Sequence, residues 1–178
     1  VPCPPDGYLD NTQYVVLLLD NNHHLNLTNA FNTGTPYATS VGGISLSNTT
    51  LDASQFNFSS MTIFGNFNMS STTIIGVMNS DAFQDATIFG NLDMSSSDIS
   101  GGISDYAFKA VLVYGNFDMS SAIISGGISD QAFYAATIRA HFNMSSANIS
   151  GGIIGGAFYA ATISDNFHMN SATISGGI

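Results

Sequence analysis

The chain of 178 residues is 44% apolar and only 8% charged, about a third of the usual ~25%, so it can fill a core and lacks the composition of a disordered chain. Its net charge of −10 comes from twelve Asp, with no Glu, against two cations, Lys109 and Arg139. Such a surface repels phosphate backbones and cannot make the several phosphate contacts of ordinary DNA binding, which excludes nucleic acid and anionic lipid as direct partners.

Residues 1–41 do not repeat and read as an N-terminal leader and capping strand. "VPCPPDGYLDN" is turn-rich and extended. The single cysteine, Cys3, cannot form an intramolecular disulfide and reads as a free thiol. "YVVLLL", Tyr14 to Leu19, reads as one buried strand ended by a turn. It falls far short of the ~20 residues of a membrane span, and no other run reaches that length. His23-His24 follows in "DNNHHL", which reads as a solvated loop rather than a metal site. The chain starts at Val1 without a basic, apolar leader, which suggests a mature secreted product. Sequons at Asn26, Asn48, Asn57, Asn68, Asn143 and Asn148 fit an extracellular glycoprotein, although an Asn- and Ser-rich repeat also makes sequons by chance.

From residue 42 to residue 178 the chain repeats. Leu46, Leu51, Phe56 and Met61 keep a five-residue step and predict one irregular coil. After it, Met69, Met94, Met119, Met144 and Met169 recur at one fixed interval, and Ile74, Ile99, Ile124, Ile149 and Ile174 recur at the same one. Phe83, Phe108, Phe133 and Phe158 form a further column at that period. A fixed period of this length means a solenoid, propeller or array. Within "FNMSS", Phe142 and Met144 alternate with Asn143 and Ser145, a strand period, and Gly pairs such as Gly101-Gly102 suit corners and break helices. The expectation is an all-β parallel β-solenoid, a β-helix with 25-residue coils. Each strand would pair with its copy one coil away, ~4.8 Å distant, so that five or so coils make a rod ~25 Å long. A one-residue slip would turn a whole column outward, which explains the strict period. Met69, Ile74, Met78, Phe83 and Ile88, with their equivalents, are the predicted interior, at spacings of 5, 4, 5, 5 and 6.

"SDISG" at Ser97, "ANISG" at Ala147 and "ATISG" at Ala172 resemble the motif of pentapeptide-repeat proteins: small, Asn or Asp, apolar, Ser or Thr, then any residue. About two pentads in each unit match. "GIIGGAFYAATISDN" departs, and five pentads per coil differ from that family's four. The alternation of "GGI" with the Phe64–Phe67 and Phe89–Leu92 stretches also resembles surface-exposed bacterial adhesin passengers. Both resemblances imply a β-solenoid. The first also implies acidic mimicry of nucleic acid, with which the net charge agrees and a secreted setting does not.

For chemistry, no HExxH, GxSxG or paired-Cys spacing occurs. His141 and His168 stand in columns otherwise held by Asn or Asp, and read as substitutions within polar ladders. Asp93 and Asp118 are one coil apart, as are Asp105 and Asp130, a separation near that of retaining glycosidases; the columns alternate freely with Asn, Ser or Gly, so no enzyme and no cofactor is expected. "GGISDYAF" lacks the spacing of a calcium roll. Ser70, Ser95, Ser120 and Ser145, with Thr87, Thr137 and Thr162, form imperfect hydroxyl columns, interrupted by Asn170 and Leu112, that suggest ice binding. Phe64, Phe89 and Tyr114 form one aromatic column and Tyr134 and Tyr159 another. Facing out they would stack on a glycan or a neighbouring rod; facing in they are core.

The repeat stops at Ile178 part-way through a coil, with no charged or polar cap, and an uncovered solenoid end offers unpaired backbone groups to a neighbour. The expectation is therefore a structural extracellular protein, a homo-oligomer or filament stacking end to end. Its predicted contact joins Phe167, Met169, Ile174 and Ile178 to Tyr14, Val15, Val16, Leu17, Leu18 and Leu19 of the next copy. The alternatives are an ice- or glycan-binding module and an acidic interaction protein.

Overall fold

A computed structural model of the chain describes Val15–Val16 and residues 40–178 apart from 56, 80 and 81. Cys3, Tyr14, Leu17, Leu18, Leu19, His23, His24, Asn26 and Phe56 lie outside the described residues.

The strands are two or three residues long, and most pair one outward polar residue with one inward apolar one. β1 is Val15–Val16. A first coil holds β2 (Ser40–Val41), β3 (Ile44–Ser45) and β4 (Thr50–Asp52), then a short 3₁₀ turn at Ala53–Gln55. The second coil has β5 (Thr62–Ile63), β6 (Phe67–Asn68) and β7 (Thr73–Ile75). The third has β8 (Thr87–Ile88), β9 (Leu92–Asp93) and β10 (Asp98–Ile99), and the fourth β11 (Leu112–Val113), β12 (Phe117–Asp118) and β13 (Ile123–Ile124). The fifth has β14 (Thr137–Ile138), β15 (Phe142–Asn143) and β16 (Asn148–Ile149); β17 (Thr162–Ile163), β18 (Phe167–His168) and β19 (Thr173–Ile174) begin a sixth.

All pairings are parallel and in register, as in Phe117 with Phe142 and Ile99 with Ile124. They build three sheets, β1-β3-β6-β9-β12-β15-β18, β4-β7-β10-β13-β16-β19 and β2-β5-β8-β11-β14-β17. Together these form the expected parallel β-solenoid. A fourth side is a line of single bridges, Met78 to Ile103 to Ile128 to Ile153. The fifth is a turn in which Phe83 N–H donates to Ala107 carbonyl and Phe108 N–H to Ala132 carbonyl, coil to coil. Five sides per turn account for the near-pentad spacing. The irregular first coil is shorter than the rest. Ile44 pairs with Phe67 and Leu51 with Ile74, a step two positions short of the one that later pairs Phe67 with Leu92 and Ile74 with Ile99. Phe58 stacks on Phe83 there and so belongs to the aromatic column.

The interior is the set of columns the period implied. Met69, Ile74, Met78, Phe83 and Ile88 are all fully buried. A second column, Phe67, Leu92, Phe117 and Phe142, aromatic except at Leu92, is equally buried. It meets the first at Phe58–Phe67, 4.7 Å between ring centroids, and at Phe108–Phe117, 5.1 Å. Between them run small residues. Thr72 and Ser97 are buried and return their hydroxyls to the carbonyls of Leu46 (2.8 Å) and Met94 (2.6 Å), and Ala122 and Ala147 continue that column without a polar group. Among the described residues no buried side-chain nitrogen or oxygen lacks a partner, as the low dielectric of a packed interior demands.

The corners dictate the rest of the sequence. A Cβ on Gly126 would collide with the carbonyl of Gly101, because the backbones of adjacent coils touch there. The corner after each Asn/Asp-Met-Ser stretch, and after His168-Met169-Asn170 in the last coil, puts Ser71, Ser96, Ser121, Ser146 and Ser171 at φ near +57°, in the left-handed region. No helix among the described residues is long and apolar enough to cross a membrane.

Candidate functional site

Three surfaces carry candidate residues. The first is the last coil. Phe167 stacks on Phe142 at 5.1 Å and 5°, yet is 42% exposed where Phe142 is fully buried. Met169 and Ile174 are half-buried and Ile178 is 93% exposed. β17, β18 and β19 are the outermost strands of their three sheets. At the opposite end, among the described residues, β1 is the outermost strand of the seven-stranded sheet, its Val15 paired with Ile44. Of the predicted contact residues that are described, Phe167 and Val15–Val16 lie at the two ends of one sheet, whereas Ile174 lies at the end of the sheet that starts with β4.

The second surface is aromatic. Phe64, Phe89 and Tyr114 face outward. They stack nearly parallel, at 5.4 and 4.7 Å, and the Arg139 guanidinium lies 4.5 Å from the Tyr114 centroid. Ring faces in this row are used on one another, so solvent meets their edges. That disfavours the flat sugar platform such a column suggests. Tyr134 and Tyr159 stack in the same way at 5.7 Å, and Tyr106 meets Tyr134 edge-on.

The third is the corner between the β5-type and β6-type strands. Asn66 Oδ1 accepts the Asn91 N–H, and Asn91 Oδ1 accepts the Asn116 N–H, both at 2.8 Å. This amide ladder satisfies backbone donors where the chain turns, and it explains the Asn column. The preceding glycines make room for it: a Cβ at Gly115 would strike Asn91 Oδ1. In the fifth coil the triplet Tyr114-Gly115-Asn116 becomes Arg139-Ala140-His141. The ladder then stretches. His141 N–H to Asn116 Oδ1 is 3.2 Å, and Asn166 N–H to His141 Nδ1 is 3.4 Å. With Nδ1 accepting, the ring proton sits on Nε2, which faces Asp165 Oδ2 at 3.4 Å. His168, in register with Asn143, brings its ring within 5.7 Å of His141. Asn116, Asp118, His141, Asn143, Ser145 and His168 line an open depression of about 250 Å³.

The sequence separated His141 and His168 into two unrelated columns; the structure brings them together with Asp165. The signal was available in the joint loss of Tyr, Gly and Asn from one coil. Asp93 and Asp118 are in register as expected. Each accepts a backbone N–H two residues on, Ser95 at 2.9 Å and Ser120 at 2.7 Å, which gives these carboxylates a turn-forming role. Asn57, Asn68 and Asn143 do the same for Ser59, Ser70 and Ser145 and are half-buried, whereas the sequons at Asn48 and Asn148 are exposed. No group of three His, Cys, Asp or Glu able to hold a metal occurs among the described residues. The chain matches no protein-family model, no curated protein and no solved structure, so what it resembles is the β-solenoid architecture itself.

Proposed function

We propose that this chain is a structural subunit of an extracellular fibre or surface layer, stacking end to end. The observation that carries the reading is the rod of parallel, in-register coils, in which Phe stacks on Phe and Ile on Ile from one coil to the next, so that any strand edge along its axis has a geometry another coil can match. An edge of this kind pairs with a strand of the same geometry. A second copy would supply one, with β1 continuing the sheet that β18 ends. Contact between unlike ends does not close on itself, so the product is a filament.

Negative-stain microscopy of the purified chain over a range of concentrations tests this. The expected result is filaments that lengthen with concentration and have a regular axial repeat. Phe167→Asp together with Ile174→Asp should reduce them to single rods without altering the circular dichroism spectrum. Discrete short particles at every concentration would sink the filament reading.

A further inference from the structure

We propose that the depression at the fifth and sixth coils binds a neutral oligosaccharide. The argument starts from cost. The Asn ladder and its glycine column are structural, and the chain keeps both through the second, third and fourth coils. At Ala140 and His141 it abandons them, and the ladder bonds lengthen from 2.8 Å to 3.2 and 3.4 Å with no new core contact in exchange. Local rules are broken in this way at functional sites. The exposed turn side also varies from coil to coil, but its substitutions disturb no such ladder.

The chemistry of the lining selects the ligand. Both His141 nitrogens and the Asn116 and Asn143 Oδ1 atoms already face protein partners, and what the lining offers a ligand is the Asn116 amide N–H groups, the Ser145 hydroxyl and the His168 imidazole, which donate and accept, and the second Asp118 oxygen, which accepts. Such a set answers the vicinal hydroxyls of a sugar, which also donate and accept. An anion would face Asp118 and Asp165 on a chain of net charge −10. A metal ion would need a convergent ligand set, and none exists among the described residues. The depression is open, and about 250 Å³ is less than the ~300–1,000 Å³ of a closed small-molecule pocket. It therefore suits one part of a ligand that continues along the rod, rather than an enclosed metabolite.

The test is titration of the isotope-labelled chain with cello-, xylo-, manno- and chito-oligosaccharides, followed by NMR. Binding of at least one, with shifts concentrated on the His141 and His168 rings, is expected. The triple variant Arg139→Tyr, Ala140→Gly, His141→Asn writes back the triplet at Tyr114, so it should fold at least as stably and bind tenfold more weakly or worse. His168→Asn should weaken binding as well. If none of the four glycan types binds, or if the triple variant binds like the parent, the proposal fails.

Discussion

A left-handed backbone costs an L-residue roughly 1–2 kcal/mol, and this chain accepts that cost repeatedly. Ala110, Ala135 and Ala160 occupy one such corner column at φ of 51–56°. Ala110 is exposed and its methyl group fills no space in the core. Ala110→Gly should therefore raise stability by about 0.5–1 kcal/mol, the relief of strain being partly offset by greater freedom in the unfolded chain. Chemical denaturation would read it as a higher midpoint at unchanged slope. These corners were only partly legible in the sequence: Asn48, Gly155 and Gly156 mark them in single coils, whereas the Ser, Asp and Ala that hold left-handed geometry elsewhere carry no such mark. The amide ladder was half-legible. The Asn column was visible as a polar row, but its bond to the next coil's backbone needs coordinates.

The elements are too short to stand alone, and two-residue strands gain their stability from stacking. Phe58, Phe83, Phe108, Phe133 and Phe158 stack at 4.8–5.4 Å, within 18° of parallel. Each such pair contributes about 0.5–1.5 kcal/mol beyond its burial. Phe108 has aromatic neighbours in both adjacent coils and in Phe117. Phe108→Ala should cost about 3–5 kcal/mol, measured as a lower unfolding midpoint. Column membership was legible, because a strict period leaves little choice of register. Orientation beside a corner was not. Ile63 points in and Phe64 out, whereas Ala82 and Phe83 are both buried. Alternation restarts at every corner, so parity alone cannot tell an outward Phe from a core one.

At the scale of the molecule, one coil is interchangeable with the next. Removing one whole coil, from Thr87 through Val111, would join Ala86 to Leu112, whose equivalent in the missing coil is Thr87. The columns close over the cut, so the shortened chain should fold with the same spectrum and a rod shorter by ~4.8 Å, visible by small-angle scattering. Loss of one nearest-neighbour interface should lower its stability. A deletion that stops one position earlier, at Ala110, leaves an extra residue in the turn before Leu112 and should lower the unfolding midpoint further, because the turn must bulge to keep the inward columns in register.

The five-sided coil also has a mechanical consequence. The bonds between coils run along the rod, one coil to the next, while the covalent chain winds around it. Tension applied between the ends therefore meets the outermost coil first, and only that coil's few hydrogen bonds and stacked rings resist. Each coil that peels away exchanges ~4.8 Å of rod for roughly 80–90 Å of extended chain. A fibre made of such units would yield in many small steps under load and lengthen greatly before it parted.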